Sequence, residues 1–486
     1  MTAQQPAVNA IDSETRMREV LDAQRAEYLR EGAVTAAARR DRLERGIDVL
    51  LKHQDRISDA LNSDFGCRCR EVNMLTDVAT SITPLKHAHK HLGKWMRGER
   101  RPTMFPLNLL GGRSRIEYQP LGVVGVISPW NFPVNLTFGP LAGILAAGNR
   151  AMIKPSEFTP ATSELMREMV AEAWDEKEVA IFPGGPEVGQ AFSGLPFDHL
   201  LFTGATGIAR HIMAAAARNL VPVTLELGGK SPVIISRSAD LATAAQRIML
   251  GKTLNAGQIC LAPDYLLVPE EKVDELVAQL QGAVATMYPR LLDNAEYTAV
   301  VNERHYQRLQ GYLADAAERG AEILPLNTAG EDFTAQEGTR KIPPTLIRNA
   351  PEDSSVLEEE IFGPLLPIRS YRDFGETIDY VNSRPRPLAA YYFGSDAAEE
   401  QAVLERTTSG GVCINDVLMH VMQEELPFGG VGPSGMGAYH GRAGFRTFSH
   451  AKSIYRQSKF NVAKLGGMLP PYGPATEKTI RMQVKK

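Results

Sequence analysis

The sequence predicts an α/β protein built as two parallel-sheet lobes with a small β arm, and three observations carry that prediction. From residue 121, short apolar strands without polar alternation alternate with amphipathic helices, as in "LGVVGVIS", "LAGILAAGN", "RAMIKPS", "DHLLFTGAT" and "PVTLEL". A second such series begins at "SPVIIS" (231–236) and runs through "DYLLVP", "PLLPIRSY", "LAAYYFGS" and "GGVCIND". Continuous apolar strands separated by helices mark a parallel sheet covered on both faces. Third, the length of 486 residues exceeds one ordinary core.

The elements follow in order. Residues 14–98 read as charged surface helices packed on a later core, with Leu43, Ile47, Leu50 and Leu51 at three- and four-residue steps. "MFPLNLLGGRSRIEY" (104–118) then reads as two short runs around a turn at Gly111-Gly112, a hairpin projecting as an assembly arm. The break between lobes falls at "ELGGKSP". After about 440 the chain turns polar and irregular, with a loop at "KLGGMLPPYGP" and a tail at "TEKTIRMQVKK".

Composition narrows the function classes. A net charge of −4, with Lys and Arg spread along the chain, leaves no footprint for nucleic acid or an anionic membrane surface. The expected partner is a small molecule. Four cysteines, Cys67, Cys69, Cys260 and Cys413, make no disulfide framework and no paired zinc-ligand spacing, and no H-E-x-x-H occurs, so no metal site is expected. Cys413 reads as buried within an apolar strand. The polar first twenty residues and the absence of a run of about 18 apolar residues predict a cytoplasmic chain without a membrane anchor.

Several segments carry candidate chemistry. "FTGATG" links a strand to a helix, a turn able to present N–H groups to a phosphate, though its Gly204 and Gly207 fall short of G-x-G-x-x-G. Lys154 and Glu157 in "IKPSE" either hold an adenosine ribose or form an exposed salt bridge. Asn131 in "SPWNFP", stiffened by Pro129 and Pro133, either stabilises an oxyanion or satisfies its own turn. Glu226 in "LELGG" ends an apolar strand, where desolvation suits it to general-base work unless it pairs with Lys230. Cys260 in "NAGQICLAPDY" is a nucleophile or one more buried thiol. Together these residue types specify one chemistry: a thiolate attacks an aldehyde, an amide holds the oxyanion, a nicotinamide takes hydride and a base activates water.

The combination "SPWNFP", "IKPSE", "FTGAT", "LELGGKSP", "NAGQICLAPDY", "EEEIFGP" and "LPFGGVGPSGMG", spread over 127–437, resembles the NAD(P)-dependent aldehyde dehydrogenase superfamily. "CLAPDY", "GGVCINDV" and "SGMGAYHGRAGFRTFSH" resemble its class 3 group, and "ISPWNFPVNLTFGPLAGILAAGNRAMIKPSEFTP" resembles bacterial coniferyl aldehyde dehydrogenases. The resemblance implies an aldehyde dehydrogenase-like fold with two Rossmann-like lobes and an oligomerisation arm. It implies Cys260 as nucleophile, Glu226 as general base and Asn131 as oxyanion donor with the Cys260 N–H. It assigns the cofactor to Pro129, Trp130, Lys154, Ser156, Glu157, Gly204, Ala205, Thr206, Leu227, Glu360 and Phe362. Lys154 and Glu157 would hold the adenosine ribose and Glu360 the nicotinamide ribose, with Phe362 flanking the nicotinamide; Ala205 stands where many relatives have serine.

On this basis residues 1–103 and 119–227 are expected to form the cofactor lobe and 228–435 the catalytic lobe. Residues 104–118 and 450–486 would form the arm and tail, and 436–449 a return segment. The expected substrate is an aromatic aldehyde of the coniferyl type, with medium- or long-chain alkanals, a CoA-acylating enzyme or a silent family member as alternatives. NAD is the expected cofactor, with NADP possible, and a homodimer the expected assembly. His440 reads as a structural donor; Tyr118, Trp130, Met419 and His420 are pocket candidates from motif proximity.

Overall fold

In the computed structural model, which describes residues 10–336 and 338–485, three sheets organise the chain. The expected cofactor-lobe assignment of residues 1–9 lies outside the described residues. Helices Ala10–Glu31, Ala36–Lys52, Gln54–Phe65 and Thr80–Trp95 come first. Leu43 and Leu50 are fully buried, whereas Leu51, expected on the same face, is exposed, because it lies one residue round from the Leu43–Leu50 stripe.

The first sheet contains β3 (Val123–Ile127), β4 (Arg150–Lys154), β5 (Val179–Ile181), β6 (His199–Thr203) and β7 (Val223–Glu226). It is closed by β15 (Gly435–Met436), in the order β15-β7-β6-β3-β4-β5. All pairings are parallel except β15 on β7. Every residue of β3, β4 and β6 is buried, which is why β3 and the middles of β4 and β6 are apolar without polar alternation, Arg150, Lys154 and His199 falling at strand ends.

The second sheet holds β8 (Ser231–Ile235), β9 (Pro263–Pro269), β10 (Glu322–Pro325), β11 (Thr345–Arg348), β12 (Leu365–Tyr371), β13 (Ala389–Phe393) and β14 (Gly411–Ile414). Their order is β10-β11-β12-β9-β8-β13-β14, parallel but for β10. Since β14 is an edge strand, Cys413 is half-buried rather than enclosed as expected.

The third sheet joins β1 (Glu99–Arg101), β2 (Arg113–Pro120) and β16 (Ser449–Arg456), with β2 central and both pairings antiparallel. The expected tight turn at Gly111-Gly112 is therefore corrected: β1 lies before Pro102, and residues 102–112 form a wide loop. "MFPLNLL" does not enter a ladder, and Pro106 has no N–H to give one.

The layout fixes where chemistry can occur. Strands β3, β4, β6 and β7 run in parallel, so the segments after Ile127, Lys154, Thr203 and Glu226 all emerge at one edge. Residues 227–230 pass directly from the carboxyl end of β7 to the amino end of β8. The segments preceding β9 and β12, which carry Cys260 and Glu360, arrive at that same amino edge. The two sheets meet end to end across these loops.

Candidate active site

Glu226 ends β7 and is 2 % exposed, with both carboxylate oxygens lacking a hydrogen-bond partner. Burial holds its pKa well above the ordinary carboxylate value. The alternative pairing with Lys230 is not made: the Lys230 ammonium binds the Asp264 carboxylate and the carbonyls of Val356 and Glu359, both at 2.8 Å. The base candidate is thus free.

Cys260 follows an unusual turn. Helix Leu241–Thr253 gives way to residues 254–257, in which Asn255, Ala256 and Gly257 all have positive φ (51°, 51° and 71°). A Cβ on Gly257 would stand 2.3 Å from the Gly363 carbonyl oxygen, so only glycine lets this turn seat against "FGP". Gln258 locks the turn, donating to the carbonyls of Asn255 and Ala299 at 2.9 and 3.1 Å and accepting from the Val301 N–H at 3.0 Å. Cys260 as a residue is half-buried. Burial raises its pKa, as do the carboxylates of Glu360 and Glu226, while the N–H groups of Cys260 and Leu261 oppose them. Cys260 precedes β9 and Glu226 ends β7, so the nucleophile and base candidates both lie where the two sheets meet.

Asn131 is 3 % exposed and donates one amide hydrogen to the Gln258 carbonyl at 3.2 Å, leaving the other for a ligand. Its own carbonyl accepts from Asn255 and from Arg68, each at 3.2 Å. Arg68, fully buried between Phe65 and Phe132, also holds Asp77 at 2.7 Å. The other Asp77 oxygen accepts the N–H groups of Val134 and Asn135 at 3.1 and 3.3 Å. This buried pair clamps the "PWNFP" loop at its middle residue and just beyond its last. Neither residue was singled out in the sequence; a charged Arg68 flanked by two cysteines gives no local sign of a partner nine residues on.

Glu360 lies against "LELGG": a Cβ on Gly228 would come within 2.1 Å of its Oε1, and that oxygen is buried without a partner. Burial above all pushes its pKa up to about 7, against the Gly229 N–H. Asp264, the acidic residue of "LAPDY", holds the segment in place, since its second oxygen accepts the Ile361 N–H at 3.0 Å while the first binds Lys230. "LGGK", "APDY" and "EEIFGP" are thus tied by one carboxylate that sequence reasoning passed over. Arg308 adds a bond to the Ile361 carbonyl at 2.8 Å. Phe362, at φ 48°, packs edge-on to Trp130 at 5.4 Å, and Trp130 lies 4.9 Å from His305, whose ring nitrogens have no partner.

The remaining cofactor candidates line the edge of the first sheet. Lys154 is buried at the end of β4 and binds Glu157 at 3.0 Å, so the expected salt bridge exists but is not exposed on the lysine side. The Ser156 hydroxyl accepts the Phe158 N–H at 3.2 Å, and Pro129 is partly exposed. Helix Thr206–Ala217 starts at Ala205 with no side-chain cap, leaving its first N–H groups for an anion. A Cβ on Gly204 would strike the Phe202 ring at 2.6 Å. The Thr206 hydroxyl is committed to the Pro433 carbonyl at 3.1 Å, so its free contribution is the backbone. Leu227 is a core residue whose N–H binds the Ser434 carbonyl at 3.2 Å. An uncapped helix start beside a glycine, together with the orphaned Glu360 oxygen, fits a dinucleotide.

Of the other pocket candidates, Tyr118 sits in the third sheet, bound to Glu99 at 2.8 Å, and Met419 is exposed. His420 and His440 both carry buried ring nitrogens without partners, and His440 stacks on Phe428 at 5.2 Å. Its expected role as a structural donor is not seen at Nδ1.

Comparison with known proteins matches this arrangement to one family. The model of the aldehyde dehydrogenase family covers residues 3–454. A probable coniferyl aldehyde dehydrogenase of Caulobacter vibrioides is 60% identical over 471 residues, 97% of each chain. A coniferyl aldehyde dehydrogenase of a Pseudomonas species is 56% identical over 455 residues, 94% of this chain and 93% of the relative. The substrate-bound structure of Staphylococcus aureus AldH superposes with a TM-score of 0.89 at 36% identity, covering 96% of this chain and 99% of the other. The chain belongs to the aldehyde dehydrogenase family, and it is an enzyme that oxidises aldehydes with a nicotinamide dinucleotide.

Proposed function

We propose that the enzyme oxidises aromatic aldehydes of the coniferyl type to their carboxylates, with Cys260 as nucleophile, Glu226 as general base and Asn131 as oxyanion donor. The observation that carries the mechanism is the unpartnered, desolvated Glu226 at the end of β7, where the segment carrying the half-buried Cys260 enters β9. The sulfur attacks the aldehyde carbon, and the free amide hydrogen of Asn131 and the Cys260 N–H receive the oxygen's charge. A dinucleotide held by the residues named below would supply the hydride acceptor, leaving a thioester on Cys260. Glu226 then takes a proton from water, hydroxide adds to the thioester carbon, and the carboxylate departs as the thiol is restored.

For the cofactor, Glu360 would hold the nicotinamide ribose and Lys154 with Glu157 the adenosine ribose. Pro129, Trp130, Ser156, Gly204, Ala205, the Thr206 N–H, Leu227 and Phe362 would form the surrounding cleft. NAD is favoured because the Glu157 carboxylate suits a 2′-hydroxyl and opposes a 2′-phosphate. The lobe assignments stand as proposals: residues 1–103 and 119–227 with the first sheet, 228–435 with the second, 104–118 and 450–486 with the third, and 436–449 returning. The assembly is proposed as a homodimer in the cytoplasm; among the described residues no helix is long and apolar enough to cross a membrane.

The substrate proposal draws on the two coniferyl-named relatives above. Comparing kcat/KM for coniferyl aldehyde with a series of alkanals, with each cofactor, tests it. A preference for alkanals overturns the substrate, whereas aldehyde-dependent NADH formation by Cys260→Ala overturns the mechanism.

A further inference from the structure

Away from the catalytic cleft, the structure brings together three side chains that the sequence keeps apart. His87 and His91 lie one turn apart on helix Thr80–Trp95, and Glu425 comes from the loop leading to Phe428. One ligand atom from each lies within 4.8 Å of the other two. His87 Nε2 is 2.9 Å from a Glu425 carboxylate oxygen, and the two imidazole centroids are 4.2 Å apart. Donors about 2.0–2.2 Å from one metal lie at most about 4.4 Å apart, so small side-chain rotations bring these three onto a single ion.

We propose that His87, His91 and Glu425 form a binding site for a divalent transition metal of the zinc type, with water completing the shell. Two histidines four residues apart on a helix present their rings to one ion, and a carboxylate supplies a third donor. The tautomer of one ring is already set. His91 Nδ1 is 2.9 Å from the His87 carbonyl, where it can only donate, which leaves Nε2 with its lone pair outward. Trp95 packs against both rings, at 5.6 and 6.0 Å, and restrains them.

Such a metal would join the helix to the 419–427 loop. That loop runs into Phe428, which exchanges two 2.8 Å backbone bonds with the buried Tyr439. Metal binding would thus tie the helix to the segment that seats Tyr439.

Isothermal titration of the full chain with Zn2+ tests this, in a Cys260→Ala background so that the catalytic thiol takes no metal. The expected result is a single site per chain of micromolar or tighter affinity, with a rise in Tm on adding Zn2+. Both should weaken about tenfold or more in His91→Ala and in Glu425→Gln. Glu425 is exposed, so its substitution leaves folding intact and keeps the test decisive if His91→Ala is unstable. Absence of micromolar binding, or equal binding by wild type and Glu425→Gln, overturns the proposal.

Discussion

At the scale of single residues, Glu226 and Cys260 are governed by the same cause acting in the same direction. Burial raises both pKa values, so the charged forms of base and nucleophile are gained as pH rises. kcat/KM is therefore expected to climb on the alkaline side. Glu226→Gln should lower kcat by about 10²–10⁴-fold and let the acyl-enzyme accumulate, which intact-protein mass spectrometry after mixing would reveal. A slowed variant that accumulates no acyl-enzyme would instead place Glu226 before thioester formation. Glu360 makes a stability prediction. Its folded pKa of about 7 lies above the ordinary value of 4.5, so the folded state holds an extra proton between those pH values. Stability from this group is full below about 4.5 and is lost as pH rises through about 7. Glu360→Gln should flatten the fall in Tm between pH 5 and 8 while raising the KM for the dinucleotide; an unchanged pH profile of Tm would count against it. These residues were legible in sequence because each sits in a compact motif. Asp264 and Arg68 were not, because a buried charge is explained by its partners, and theirs are "LGGK", "EEIF" and the "PWNFP" loop.

At the scale of elements, loops set the catalytic geometry and buried ion pairs set the loops. Removing one partner of a buried pair leaves the other charge uncompensated, so Arg68→Met should destabilise the fold by about 3–5 kcal/mol. Because Arg68 also holds the Asn131 carbonyl, kcat should fall further than stability alone accounts for. Denaturant unfolding and kinetics on the same preparation separate the two effects. Gly257→Ala combines a forced positive φ with a clash on Gly363, and should abolish activity while global circular dichroism persists. Elements were readable where the pattern was strong: apolar stretches without polar alternation marked β3 and the middles of β4 and β6. The hairpin was misplaced because two glycines are a stronger local turn signal than the ladder β2 makes with both β1 and β16. That ladder is set by residues more distant than any local pattern reports.

At the scale of the molecule, the third sheet stands out by its composition. Its connecting loop exposes Met104, Phe105 and Leu109 to 66, 73 and 74 %, and β16 is mostly exposed along an edge. Exposed apolar side chains beside an unpaired strand edge mark an association surface. If the dimer forms through this arm, Phe105→Asp with Leu109→Asp should shift sedimentation towards the monomer, leaving aldehyde oxidation per chain in place. A dimer unaffected by that pair would move the interface elsewhere. The two-lobe plan was legible because both strand series are long; a return segment at 436–449 came only from the family resemblance, and the pairing of β15 with β7 gave no local signal because β15 is only two residues long.

That short strand has a consequence in time. Gly435 pairs with Glu226, so the sheet edge beside the base stays open until the ribosome has made almost the whole second lobe. At about 5–20 residues per second, the interval is about 10–40 s. A nascent chain whose first lobe has folded still lacks the strand that closes over its base. Synthesis order thus delays a competent thiol and base until the lobe that shields them has been made.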